Sequence, residues 1–118
     1  MIAVNMNVND EKMVLSLTLS GHAGQAAAGH DIVCASATIL AYTVAQIIKL
    51  MQKDKMLAEK PVIRLEKGDI EISCRCNKKE SYNSALHTYF TAQIGYSLLA
   101  DNYPQYITFQ MLGKPIQA

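Results

Sequence analysis

The sequence predicts an α+β domain in the order ββαββαβ, with a mostly antiparallel sheet and two helices packed on it. Three observations carry the prediction. Ile2, Val4, Met6 and Val8, and then Met13, Leu15, Leu17 and Leu19, alternate with polar or small residues, which is the period of strands with one buried face. The stretch from Ile32 to Ile48 carries no charge and reads as a buried helix. Apolar residues recur at helical spacing between about Glu80 and Asn102. The strands come in hairpin pairs, so the pairing should be antiparallel with helices laid against it.

Asn9 and Asp10 supply turn chemistry between the first two strands, because their side chains bond to the backbone just ahead. Residues 21 to 30 follow, with Gly21, Gly24 and Gly29 around three alanines. The glycines favour a flexible loop, whereas the alanines alone would suit an extension of the next helix. Asp31 fits the N-cap of a helix reaching about Lys55. With no charge on any face in its first turns, that helix should be covered on more than one side, by a sheet and another helix or by a partner subunit. Lys49, Lys53 and Lys55 suit the negative end of its dipole.

Pro61 closes the connection that follows. Ile63 and Leu65, then Ile70 and Ile72, mark two strands joined at Lys67-Gly68-Asp69. In the second helix Leu86, Phe90, Ile94 and Leu98 form one stripe, and Tyr89, Ala92, Tyr96 and Leu99 a neighbouring one. Pro104 ends it, and Tyr106 to Leu112 reads as a last strand.

The chain has 118 residues, which fits a single domain, 1–118. Hydrophobic residues make up 50% and charged residues 18%, the balance of a packed globule. Eleven basic and ten acidic side chains leave a formal charge of +1, so no direct nucleic-acid partner is expected. The apolar stretch is shorter than the roughly 20 residues of a membrane helix, and the N-terminus lacks a basic leader; neither a membrane nor export is expected. Three cysteines in such a chain point to reduced thiols and a cytoplasmic location.

The segment Gly21 to Ala35, GHAGQAAAGHDIVCA, gathers the groups that thiol chemistry needs. Cysteine attack on a peptide carbonyl takes a thiolate, a group that accepts and returns a proton, and donors for the oxyanion. Cys34 would stand three residues inside the helix capped by Asp31, near the positive end of its dipole. The dipole supplies about 0.3–1 kcal/mol, and one pKa unit corresponds to about 1.4 kcal/mol, so strong activation needs a nearby cation as well. His22, at the end of a strand, and His30, nearer in sequence, both qualify; a strand end holds a base more firmly than a glycine-flanked loop. Asp31 would either cap the helix or orient His22. The bland alternative makes Cys34 a core residue, since free cysteines are often buried and inert.

The string Gly21-His22-Ala23, then Gly29-His30-Asp31-Ile32-Val33-Cys34-Ala35, resembles the ribosomal-processing cysteine protease family of Gram-positive and related bacteria. The resemblance implies a cysteine endopeptidase that removes a short N-terminal extension from the large-subunit ribosomal protein numbered twenty-seven. It implies Cys34 as nucleophile, His22 as base and Asp31 at the family's acidic position, with no cofactor or metal. The family often has serine where this chain has Thr38. The loop after His22 is implied to open for substrate, and a homodimer is implied too. Tyr42, Tyr89, Phe90 and Tyr96 are candidates to line a pocket, each also readable as an ordinary core or surface aromatic. A non-catalytic adaptor that holds a ribosomal partner without cutting it is the alternative function.

Cys74 and Cys76 share a face with Ile70 and Ile72 and should pack in the core. A lone C-x-C pair lacks the second ligand pair of a zinc site. His87 reads as a surface residue.

Overall fold

The computed structural model describes residues 1–21 and 28–117, and of residues 28–31 the backbone alone. Strand β1 (Ile2–Asn9) and strand β2 (Val14–Ser20) form an antiparallel hairpin. Its turn is fastened by the Asn9 side chain, whose Oδ1 accepts the Lys12 N–H at 3.0 Å. Helix α1 (Ala28–Lys53) follows, then strands β3 (Val62–Glu66) and β4 (Asp69–Arg75), helix α2 (Lys79–Asn102) and strand β5 (Ile107–Leu112). The expected ββαββαβ order is therefore found. The sheet order is β3-β4-β2-β1-β5. Every pairing is antiparallel except β1 with β5. The connection through α2 carries the chain back across the sheet, so that β5 runs alongside β1.

The register sorts the faces. Val4 stands opposite Leu19 and Phe109, and Leu17 opposite Met6 and Ile72, so one face collects the apolar side chains. Both helices pack there. Met6, Leu15, Leu17, Ile48 and Ile72 are fully buried, and each such side chain contributes about 1.5–3 kcal/mol relative to exposure. The opposite face carries Asn5, Thr18 and Glu71 in one register line and Asn7, Ser16 and Ser73 in the next, the alternation of an antiparallel sheet with one face turned to water.

Helix α1 buries Val33, Ala37, Ala41, Val44, Ala45, Ile48 and Met51. The expected cover on more than one side is partial: sheet and α2 take that stripe, while Ile32, Ile39, Tyr42 and Leu50 stay exposed. By length and composition alone Ile32–Lys53 meets the requirement of a membrane span; the sequence stretch looked too short because the apolar helix runs past Lys49. In α2 the buried stripe is Ser81, Tyr82, Ala85, Tyr89, Ala92 and Tyr96. Of the stripe Leu86, Phe90, Ile94 and Leu98, the first two are half-buried and the last two exposed.

The buried tyrosines are satisfied. Tyr82 donates its hydroxyl to Asp10 Oδ1, Tyr89 to the Ile72 carbonyl at 2.9 Å, and Tyr96 to the Ala37 carbonyl at 2.9 Å. A buried phenol without a partner would cost about 1–3 kcal/mol, so these bonds allow three large polar side chains between helix and sheet. Cys74 and Cys76 are buried and His87 is exposed, as the sequence indicated.

Candidate active site

Cys34 lies on α1 and is half-buried, a free thiol. It lines a cleft of about 560 Å³. One wall is the α1 face carrying Cys34, Ala35, Thr38, Ile39 and Tyr42, and the facing wall is the β3–β4 turn, Glu66 to Ile70. Gly21 lines the same cleft.

The β2–β4 register builds that facing wall. Ser20 is paired with Asp69, so the end of β2 and the Lys67-Gly68 turn meet at one edge of the sheet. The Gly21 N–H then donates to the Gly68 carbonyl at 3.1 Å. Both glycines have left-handed backbone, φ 95° and 75°, which L side chains rarely adopt. Gly21 is further constrained by its neighbour: a Cβ there would lie 2.2 Å from the Met1 carbonyl oxygen. Gly21 is therefore held by a bond and by close packing, and it delivers the chain to His22 from the cleft wall.

The other sequence-predicted residues divide. His22 and Gly24 lie outside the described residues. Gly29 belongs to the first turn of α1 rather than to a loop, because the alanine-rich segment continues the helix N-terminally from Asp31. For the same reason Asp31 is the fourth residue of α1 and not its N-cap. Cys34 becomes the seventh residue, beyond the first turn to which the dipole's influence is confined. The expected help from the helix terminus is correspondingly smaller. His30 stands one helical turn before Cys34 on the same helix.

Neither Cys74 nor Cys76 lines the cleft, and Cys76, whose thiol is pushed down by its hydrogen bond with Cys74, is itself buried. Cys74 is buried, and its thiol is held well above the ordinary range by its hydrogen bond to Cys76 and by burial, so it keeps its proton at neutral pH. Tyr89, Tyr96 and Phe90 do not line the cleft; Tyr42 does. At the cleft mouth the Asp69 carboxylate is occupied by Arg64, with contacts of 3.1 Å from Nε and 3.0 Å from Nη2. No cluster of three or more metal-ligating side chains occurs among the described residues.

The sequence signalled a turn at Lys67-Gly68 but not that it would face Cys34. That placement follows from the β2–β4 pairing, a long-range contact with no local signature. Ile39 as a wall residue was equally illegible, since its helix position alone does not say which neighbour it meets.

Comparison with known proteins agrees with this geometry. A family model described as cysteine protease Prp matches residues 1–108. The ribosomal processing cysteine protease Prp of Staphylococcus aureus is 45% identical over 42 residues, an alignment covering 36% of this chain and 40% of that protein's length. The crystal structure of Prp from S. aureus in complex with a substrate peptide superposes with a TM-score of 0.70 at 27% identity, covering 95% of this chain and 100% of that one. The same enzyme with a covalently linked product peptide gives 0.67 at 25% identity over the same shares. A Streptococcus mutans protein shares the fold, with a TM-score of 0.68 at 20% identity over 95% of this chain and 94% of its own. A match across almost the whole sequence, on a fold that places a free cysteine in a cleft, shows that the chain belongs to the Prp family of cysteine proteases.

Proposed function

We propose that this chain removes a short N-terminal extension from the large-subunit ribosomal protein numbered twenty-seven, with Cys34 as nucleophile and His22 as general base. The observation that carries the reading is the shared cleft: Cys34 lines it from α1, and Gly21, covalently joined to His22, lines it too. The names and bound peptides of the S. aureus relatives support the substrate class, and the covalently linked product there supports a covalent step.

The Cys34 thiol gives its proton to the imidazole, which leaves a thiolate beside an imidazolium. The sulfur attacks the scissile carbonyl carbon, and the carbonyl π pair moves onto oxygen. Collapse of that intermediate breaks the C–N bond as the imidazolium returns its proton to the leaving amine. Water, deprotonated by the same imidazole, adds to the thioester carbonyl carbon; the C–S bond then breaks, the N-terminal product leaves as its carboxylic acid, and the thiolate and imidazolium are restored. Asp31 orients His22 in this scheme. No step requires a metal or cofactor.

Residues 1–118 act as one protease domain in the cytoplasm, and the active form is a homodimer. The dimer is supported by the apolar side chains left in water on the outer face of α2: Leu98 is 56% exposed and Ile94 46%. Sedimentation of the purified protein reads the dimer directly, and a monomer at micromolar concentration would refute it.

Mass spectrometry of the extended ribosomal protein tests the activity. A single N-terminal cut by the wild type, absent with Cys34→Ala, is the expected result. Complex formation without a cut by either protein would favour an adaptor instead.

A further inference from the structure

We propose that Cys74 and Cys76, with Met13 alongside them, form a binding site for one soft monovalent metal ion, Cu(I), at the end of the sheet away from the Cys34 cleft. The site shares no residue with the cleft and is independent of the reaction there. The β2–β4 register sets Cys74 beside Leu15, whereas Asp69 of the cleft wall stands beside Ser20. Along β2 those two points are roughly 17 Å apart at about 3.3 Å per residue.

The strand brings the two thiols together. Cys74 lies in β4, and Cys76 just past its end is bridged to Leu57. Residues two apart on a strand point to one face, here the core face, where both are buried. The two thiols hydrogen-bond to each other. Two further sulfur-bearing residues approach from neighbouring segments. The Cys76 N–H donates to the Met13 carbonyl at 2.9 Å, which sets Met13 opposite Cys76. The Asn77 N–H donates to the Met56 carbonyl at 3.1 Å, which draws in Met56 from the end of α1. Both methionines are half-buried against the core.

That arrangement selects the ion. A disulfide is formed most often across Cα atoms about 5.5–6 Å apart, whereas alternate residues of an extended strand stand about 6.6 Å apart, so closing the bond would kink the chain. A metal between two sulfurs needs no such approach. At about 2.3 Å per metal–sulfur bond a linear pair spans about 4.6 Å, a little over the separation of hydrogen-bonded thiols. Structural zinc takes four ligands, and no group of three or more histidine, cysteine, aspartate or glutamate side chains occurs among the described residues. Thiolate and thioether sulfur select Cu(I), which is content with fewer ligands. On binding, the ion takes the place of the two thiol protons, which leave to water, and no electron is transferred.

The test uses Cys34→Ala, so that the cleft thiol takes no metal. The protein is titrated without oxygen against Cu(I) held by the coloured chelator bicinchoninate. One equivalent should pass from chelator to protein. Cys74→Ser and Cys76→Ser should each weaken the transfer by more than about tenfold, the smallest loss usual for a supporting partner one shell further out. X-ray absorption of the loaded protein should show sulfur alone around copper, and Met13→Leu should remove one sulfur from that shell. Copper should also raise the melting temperature, because the folded site binds it. The proposal is overturned by absent transfer, by transfer that survives both serine variants, or by nitrogen or oxygen in the shell. A fall in melting temperature overturns it too, since the metal would then be held by unfolded thiols. Where a serine variant fails to fold, the absorption spectrum and the melting shift of Cys34→Ala decide alone.

Discussion

The backbone N–H of Gly21 donates to the carbonyl oxygen of Gly68 at 3.1 Å, fastening the end of β2 to the β3–β4 turn on the wall that faces Cys34. Substituting Gly21→Ala places a methyl group 2.2 Å from the Met1 carbonyl oxygen, at a φ of 95°. The chain must shift to relieve that contact, and the shift moves the residue that leads to His22. We expect a stability loss of about 1–3 kcal/mol by denaturant unfolding, with a larger fractional loss in kcat/KM than in folded population. Unchanged stability and activity would show that neither the contact nor the bond matters.

His22 and His30 are separable by mutation. Our reading makes His22→Ala lose cleavage by a factor of about 10²–10⁴, the usual contribution of a general base. His30→Ala should keep most activity, although His30 stands one helical turn before Cys34. Alkylation of Cys34 by iodoacetamide across pH 6–8 supplies a second readout: His22→Ala should slow it at neutral pH, because the thiolate loses its counter-ion. The reverse ranking of the two variants would transfer the base to His30.

The tyrosines between the helices and the sheet predict an alkaline transition. Burial raises the Tyr89 and Tyr96 phenols above their ordinary value of about 10. The folded state then keeps protons that the unfolded chain loses near pH 10. Their contribution to stability is complete below about pH 10 and is lost as pH rises further. Thermal melts at rising pH, followed with phenolate absorbance, should show these tyrosines ionising only as the protein unfolds. Tyr96→Phe should lower stability by about 0.5–1.5 kcal/mol through loss of the bond to Ala37 and should blunt the alkaline loss. Ionisation of every tyrosine near pH 10 in a folded protein would contradict this.

What the sequence made legible was local. The alternation Ile2-Val4-Met6 and Leu15-Leu17-Leu19 defines two strands and their buried faces, and Cys74 and Cys76 fall on the core face as their spacing requires. The start of α1 was misplaced because Asp31 offers a cap while the alanines before it propagate the helix to Ala28, and single residues do not decide between those tendencies. In α2 the stripe with tyrosines wins the interior, since each hydroxyl finds a partner on β1–β2, β4 or α1, partners that only the tertiary fold provides. The parallel β1–β5 pair and the position of Lys67-Gly68 opposite Cys34 are likewise products of long-range pairing. The thiol motif was readable; the wall that faces it was not.

The central claim is that Cys34 forms the covalent bond, and trapping the intermediate tests it most directly. The protein is mixed with a peptide spanning the cut, quenched in acid within the first turnover, digested and mapped by mass spectrometry. The account predicts a thioester carrying the N-terminal product on the fragment containing Cys34, and none when His22→Ala is used over the same interval. Cleavage that proceeds with the adduct on Cys74 or Cys76, or with Cys34 replaced by alanine, would contradict it.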